Sequence, residues 1–153
     1  MRPKKYTMAD LNIEELTQET DLSGFCCDAG KGDDPMEVND YILNYSKDHL
    51  EKKLSKTYLF YHGSEIVGAI AMSMGSIYLK DLPPDEVAEL GELDFKQVPV
   101  LLLGQIGTDV NHRMRGVCRE MCEFALGIAS KLSEEVGCRY VALATITEKV
   151  PIY

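Results

Sequence analysis

The sequence has no apolar run that approaches the roughly 20 residues a helix needs to cross a bilayer. Its N-terminus carries basic residues, but no apolar segment follows them, so it does not resemble a secretory signal peptide. A disulfide framework is not indicated either, because the five cysteines are odd in number and unevenly spaced. These absences favour a cytoplasmic protein with reduced thiols and no membrane partner.

Excess positive charge is also absent, since the formal net charge is −9 over 153 residues. Broad nucleic-acid affinity normally requires a basic surface, so this balance argues against it but leaves room for a local basic site. The length is that of one domain, and the 45% apolar and 27% charged content is ordinary for a globular protein. We therefore expect residues 1–153 to form a single domain.

The first half of the chain predicts a strand, a helix and a hairpin. A short strand is expected around Leu11, followed by a loop rich in glycine and aspartate. Apolar residues at helical spacing predict an amphipathic helix over 36–54, with Asp34 and Pro35 as its N-cap and first turn. Two apolar segments around a polar turn then predict a hairpin over 58–74.

The second half predicts a strand–helix–strand unit behind an acidic connector. Residues 84–90 of the connector favour one or two helical turns. A buried strand over 98–109, a helix over 116–136 with Gly137 as its C-cap, and a strand over 140–144 follow. Such a unit crosses over right-handed, and joined to an antiparallel hairpin it gives a mixed sheet. The predicted fold class is therefore α+β, or mixed α/β, with helices flanking a central sheet.

The turn between the long strand and the long helix has cations and a glycine, in the segment DVNHRMRGVC. Unpaired N–H groups and the dipole at a helix N-terminus attract anions. Gly116 permits a phosphate to approach closely, while Arg113 and Arg115 add donors and positive charge. The spacing alone is equally compatible with a pyrophosphate site and with a solvated turn. Neither a Walker loop nor the dinucleotide fingerprint is present.

The segment LLLGQIGTDVNHRMRGVCREM resembles the acetyl-CoA-binding signature of the GNAT superfamily of N-acetyltransferases. In that family a strand leads into [QR]-x-x-G-x-[GA] and then a helix, and the loop amides bind the pyrophosphate of CoA. The sequence matches at Arg113 and Gly116. It departs at Cys118, where the family has Gly or Ala, and at Met114, where the toxin-type branch commonly has Gly.

The N-terminal half resembles the toxin-type branch of the same superfamily. That branch has a D-L-x-x-F-x-C-G-like stretch, a helix, and a strand pair with a V-G motif. The matching residues here are Asp21, Leu22, Phe25, Cys27, Val67 and Gly68. Asp28 stands where the branch has the glycine after the cysteine. The resemblance extends over residues 20–153 and implies a GNAT-like central mixed sheet.

The resemblance implies acetyl-CoA as co-substrate and direct transfer of its acetyl group to a primary amine. The strand backbone at Ile106, Gly107 and Thr108 would hydrogen-bond the pantetheine arm. Main-chain N–H groups of the loop would bind the pyrophosphate, namely those of Arg113, Met114, Arg115, Gly116, Val117 and Cys118. Tyr153 takes the position of the tyrosine that protonates the departing thiolate in the family. No metal is implied.

An ammonium acceptor must lose a proton before it attacks, so a carboxylate or a water chain would serve as base. Asp109, Glu92 and Glu148 are the candidates, although each is more simply a solvated carboxylate. The family continues past the last strand predicted here through a helix and two closing strands. We therefore expect the C-terminal closing strands to be missing from the domain.

Two alternative functions stay open at this point. A domain without closing strands is compatible with a non-catalytic acyl-CoA-binding module. The toxin-type branch implies an aminoacyl-tRNA as acceptor and an antitoxin as partner, with Lys52, Lys53 and Lys56 as RNA contacts. The net charge fits RNA binding poorly. The family also implies a homodimer, with missing strands encouraging exchange between chains.

Two further groupings have simpler interpretations. Cys118, Cys122 and His112 are residue types that bind zinc, but they lack C-x₂-C spacing, and Cys122 fits the apolar face of the helix. Core packing is therefore favoured over a metal site. The acidic residues of 81–94 would attract a cationic acceptor, yet a solvated connector is the more common use of such a run.

Overall fold

The computed structural model describes residues 2–143. The strands are β1 (Asn12–Glu15), β2 (Lys56–His62), β3 (Glu65–Tyr78), β4 (Gln97–Thr108) and β5 (Tyr140–Leu143). The helices are α1 (Val38–Asn44), α2 (Ser46–Glu51), α3 (Pro84–Leu90) and α4 (Val117–Glu135). Among these residues no helix is both long and apolar enough to pass through a membrane.

The five strands of the sheet follow chain order from β1 to β5. Pairing is antiparallel from β1 through β4, while β5 lies parallel to β4. A parallel pair needs a crossover between its strands, and α4 supplies it. The mixed α+β sheet predicted from the hairpin and the strand–helix–strand unit is thus confirmed.

Both faces of the sheet are covered by apolar side chains. Along β2, Leu59 packs toward Ile42 of α1, whereas its neighbour Phe60 packs toward Met121 of α4. All four side chains have no exposed surface. Successive strand residues point to opposite faces, so a continuous apolar run such as Tyr58–Tyr61 predicts a strand covered on both sides. Burial of each such side chain contributes roughly 1.5–3 kcal/mol.

The prediction of a single helix over 36–54 is wrong, because the structure divides it into α1 and α2 at Tyr45. The hydroxyl of Ser46 donates to the carbonyl oxygen of Ile42, and this type of bond bends helices. The start also differs, since α1 begins at Val38. Asp34 still caps it from outside, as its carboxylate accepts from the N–H groups of Val38 and Asn39 at 3.0 and 2.8 Å.

Helix α4 begins where the sequence predicts and ends one residue before the predicted end. Gly116 is its N-cap and has a left-handed backbone with φ of 82°. The C-cap is Val136 in an extended conformation, so the prediction that Gly137 ends the helix is wrong. The N–H of Val136 donates to the carbonyl oxygen of Leu132 at 2.7 Å, which satisfies a terminal acceptor without a left-handed glycine.

Candidate functional site

A cavity of about 550 Å³ lies along the second half of β4, with Gly104, Thr108 and Leu143 among its lining residues. In the described part of the chain, β5 pairs with β4 only from Val100 to Leu103. Next comes a bulge at Gly104, because Leu103 and Gln105 pair with consecutive residues of β3. The β4 edge after the bulge is therefore without a strand partner on the β5 side among residues 2–143. The cavity occupies this gap.

The backbone of β4 faces the cavity at alternate residues. The N–H of Asp109 donates to the carbonyl oxygen of Val67 on β3 at 2.9 Å. Because backbone groups of successive strand residues point to opposite edges, those of Gly107 also face β3, and those of Ile106 and Thr108 face the cavity. All three residues predicted to hold the pantetheine line the cavity. Only two of them direct backbone groups into it.

Gly107 allows the cavity wall to pack closely against β4 at the same point. A Cβ there would lie 2.8 Å from the Sγ of Cys27 and 3.0 Å from the Cγ1 of Val38, so a larger residue would displace α1 and the loop before it. Burial raises the pKa of the Cys27 thiol to about 12. This thiol is therefore a neutral part of the cavity wall and not a reactive nucleophile.

The turn after β4 ends in a helix N-terminus without a side-chain cap. A short 3₁₀ turn at Val110–His112 is followed by two left-handed residues, Met114 with φ of 64° and Gly116 with φ of 82°. No side chain caps α4, and the N–H groups of its first turn have no intrahelical acceptor. The residues of the turn and first helical turn that line the cavity are Arg113, Met114, Gly116, Val117, Cys118 and Arg119.

The two arginines of the turn are occupied by protein partners. The guanidinium of Arg113 donates to both carboxylate oxygens of Asp33, at 2.7 and 3.1 Å, and to the carbonyl oxygen of Cys27 at 2.8 Å. The bond to Asp33 raises the pKa of Arg113 further. Arg115 lies over the ring of Tyr6, 5.2 Å from its centroid. Arg113 thus ties the loop before α1 to the turn, which leaves main-chain N–H groups as donors to an anion.

Asp109, one of the three predicted general bases, accepts hydrogen bonds from the protein's own backbone. Its carboxylate accepts from the N–H of Asn111 at 2.9 Å and from the N–H of Cys26 at 3.0 Å, and the residue is only 3% exposed. It lines a second, more polar cavity rather than the one along β4. Glu92 is exposed on the connector and lines neither cavity. Glu148 and the predicted catalytic Tyr153 lie outside the described residues.

The side chains of Cys118 and Cys122 in α4 do not form a common site with the side chain of His112. The Cys118 thiol lowers the pKa of Cys122 to about 7 through a hydrogen bond along the helix. His112 instead contacts Tyr6 and Glu65, with its Nδ1 2.9 Å from the Tyr6 hydroxyl and its Nε2 3.3 Å from a Glu65 oxygen. Across residues 2–143 no three potential ligand side chains are grouped as a metal site requires.

Two charged features of the sequence lie away from the cavity. Lys52 pairs with Asp48 at 2.9 Å, and Lys56 pairs with Glu15 at 2.8 Å, so two of the three predicted RNA-contacting lysines have acidic partners. In the connector, Glu86 accepts from the hydroxyl of Tyr140 at 2.7 Å. The acidic connector is thus docked against β5 through α3 instead of being only a solvated link.

Sequence reasoning missed the structural role of the N-terminal segment. Tyr6 is 8% exposed, and its N–H donates to the carbonyl oxygen of Arg115 at 2.7 Å. Lys5 beside it lines the cavity. The available signal was an aromatic residue in an otherwise polar segment, but nothing in the sequence pairs that residue with a turn more than one hundred positions away.

No protein-family model matches the sequence. No curated protein matches it either. Solved structures match over most of the chain. A structure of AtaT complexed with acetyl-methionyl-tRNAfMet has a TM-score of 0.77 at 20% identity, over 92% of this chain and 81% of that chain. A tyrosine-to-phenylalanine mutant of KacT has a TM-score of 0.77 at 17% identity, over the same two shares.

A third structure, AtaTR bound with AcCoA, has a TM-score of 0.73 at 20% identity, over 95% of this chain and 83% of that chain. Another structural neighbour is described as a bacterial toxin, with a TM-score of 0.76 at 12% identity. At such identities the likeness is one of fold. The described part of this chain therefore has the same GNAT-like fold as the AtaT and KacT structures.

Proposed function

We propose that this chain is an acetyl-CoA-dependent N-acetyltransferase that moves an acetyl group directly to a primary amine. The cavity along β4 carries this proposal, because it joins the backbone groups of Ile106 and Thr108 to the N-terminus of α4, which has no side-chain cap. An extended amide-bearing arm needs donors and acceptors along a strand, and a pyrophosphate needs clustered N–H groups. The cavity offers both, one after the other.

The roles of the cavity residues follow from this arrangement. Ile106 and Thr108 would hydrogen-bond the pantetheine amides, and Gly107 would allow Cys27 and Val38 of the cavity wall to pack closely against β4. The main-chain N–H groups from Arg113 to Cys118 would bind the pyrophosphate, aided by the dipole of the 19-residue α4. Arg113 holds the wall in place through Asp33 rather than contacting the anion with its side chain.

The chemistry requires little more than alignment and proton transfer. A neutral amine attacks the thioester carbonyl, its nitrogen forms the new C–N bond, the C–S bond breaks, and the thiolate takes up a proton. We propose Tyr153 as the donor of that proton. Because Asp109 is buried and bonded to two backbone N–H groups, the amine would lose its own proton to a water chain or to Glu148.

For the acceptor we propose the amine of an aminoacyl-tRNA. AtaT has been solved with acetyl-methionyl-tRNAfMet, in which the acetylated group belongs to an amino acid on tRNA. AtaT has also been solved with the C-terminus of the antitoxin AtaR, so an antitoxin is the protein partner we propose. The homodimer stays a prediction.

The first test is calorimetric titration of the purified chain with acetyl-CoA. We expect a dissociation constant in the micromolar range, and binding at least about tenfold weaker in Gly116→Glu, since a carboxylate at the turn repels the pyrophosphate. Gly127→Glu is the matched control, because Gly127 lies on the exposed face of the same helix with no atom within 4 Å of its Cβ position. A folded wild-type chain that fails to bind would overturn the proposal.

Turnover then separates the enzyme from a module that only binds. The wild-type chain is incubated with radiolabelled acetyl-CoA and aminoacyl-tRNA, with uncharged tRNA and the free amino acid as controls. Label on aminoacyl-tRNA alone supports the proposed acceptor. Tight binding of acetyl-CoA without label on any amine would favour the acyl-CoA-binding module instead.

A further inference from the structure

The segment before β1 lies across the turn that precedes α4. Besides the bond from its N–H to Arg115, Tyr6 places its hydroxyl 2.9 Å from the Nδ1 of His112 and 3.3 Å from a guanidinium nitrogen of Arg115. The ring of Tyr6 also stacks on the ring of His62 in β2, with the two ring centroids 4.5 Å apart. Backbone, hydroxyl and ring each fix the segment, so its position relative to the turn is well determined.

This attachment places Lys5 beside the N-cap glycine of α4. The Cβ and Cδ of Lys5 are both 3.9 Å from the Cβ position of Gly116, and the residue lines the cavity with an exposed side chain. Among residues 2–143, Lys5 forms no ion pair. By contrast, Arg113 at the same cavity is paired with Asp33 at 2.7 Å. Lys5 therefore places a positive charge without an ion-pair partner among residues 2–143 at the end of the cavity beside Gly116, where the pyrophosphate is proposed to bind.

We propose that Lys5 binds a phosphate group of the CoA thioester and that Tyr6 positions it there. The inference rests on the proposed function and extends the site to a segment outside the strand–turn–helix motif. A lysine ammonium on its flexible stem suits phosphate, which it contacts as a point charge from a range of directions. The motif itself supplies neutral N–H donors, so Lys5 adds a full charge that those donors lack.

The test is calorimetric titration of Lys5→Gln and of Lys4→Gln with acetyl-CoA and with its 3′-dephospho analogue. Lys4 is the matched control, because it is an exposed neighbour of the same charge that does not line the cavity. We expect Lys5→Gln to weaken acetyl-CoA binding about tenfold, as for loss of one charge-assisted contact. Lys4→Gln should stay within about twofold of the wild type, since an exposed charge outside the cavity contributes little.

The two ligands identify the phosphate that Lys5 contacts. If it is the 3′-phosphate, Lys5→Gln weakens acetyl-CoA binding but leaves binding of the dephospho analogue unchanged. If it is the pyrophosphate, both ligands lose the same factor. Either result supports the proposal. Equal binding of both ligands by Lys5→Gln and the wild type would overturn it, whereas a wild type that binds neither ligand would overturn the proposed function itself.

The positioning role of Tyr6 is tested by a double-mutant cycle. Tyr6→Ala removes the ring and the hydroxyl that fix the segment, so the effect of Lys5→Gln should shrink to within about twofold in that background. Thermal melts establish that each variant is folded. An undiminished effect of Lys5→Gln in a folded Tyr6→Ala variant would contradict the positioning role and leave only a direct contact by Lys5.

Discussion

At the scale of single residues, two polar side chains that the sequence predicted to act on a substrate or an anion instead hold loops of the protein together. Asp109 joins the loop at Cys26 to the turn at Asn111, and Arg113 joins the loop at Asp33 to the same turn. These partners are separated by about eighty positions, so spacing could not reveal them. The sequence predicted which residues belong near the site, but whether each faces a ligand depends on contacts that only the folded chain specifies.

The buried carboxylate of Asp109 gives a direct prediction on stability. Asp109→Ala leaves two backbone N–H groups without their charged acceptor, which costs about 3 kcal/mol of unfolding free energy. Chemical denaturation measures the change, with Glu92→Ala as an exposed control expected within about 0.5 kcal/mol of the wild type. A loss in Asp109→Ala no larger than the control's would show that the two N–H groups find other partners.

The thiols of Cys27 and Cys122 should differ in reactivity with pH. Burial raises the pKa of Cys27 to about 12, whereas the bond with Cys118 lowers that of Cys122 to about 7. The reactive species is the thiolate, so alkylation of Cys122 by iodoacetamide should accelerate between pH 6 and 8 while Cys27 stays unlabelled. Peptide mass spectrometry measures both sites, and labelling of Cys27 ahead of Cys122 in the folded chain would contradict these assignments.

At the scale of elements, strands and helices with strong periodicity could be predicted, and those decided by one side chain could not. The strand–helix–strand unit and the hairpin follow from apolar runs, which the sheet buries on both faces. At the division between α1 and α2 the hydroxyl of Ser46 bonds the carbonyl oxygen of Ile42, and α4 ends at the extended backbone of Val136. Neither leaves a distinctive pattern in the sequence.

Packing between α4 and the sheet gives a physical reason for the V-G motif of the resemblance. A Cβ on Gly68 would lie 2.7 Å from the Cγ1 of Val117 and 2.9 Å from the Sδ of Met121, both in α4. Gly68→Ala should therefore cost about 1–3 kcal/mol of unfolding free energy, because α4 must move away from β3.

The control for Gly68→Ala is Gly24→Ala, since no atom lies within 4 Å of the Cβ position of Gly24 and its φ is not positive. It should stay within about 0.5 kcal/mol of the wild type in the same denaturation experiment. Equal stability of the two variants would mean that α4 does not rest on the glycine as closely as the structure shows.

At the scale of the whole molecule, the excess negative charge and the proposed anion site are compatible. The net charge of −9 is distributed over the chain, and at physiological salt its field is screened beyond about 8 Å. A bound phosphate would interact mainly with groups in contact, namely the N–H groups of α4 and the ammonium of Lys5.

The attachment of Tyr6 to the turn at Arg115 also bears on how the protein is made. Residue 6 leaves the ribosome early, yet its partners at His112 and Arg115 are synthesised more than one hundred residues later. Contacts of such long sequence separation form late in folding. The nascent chain therefore cannot assemble this end of the cavity until His112 and Arg115 have emerged from the ribosome.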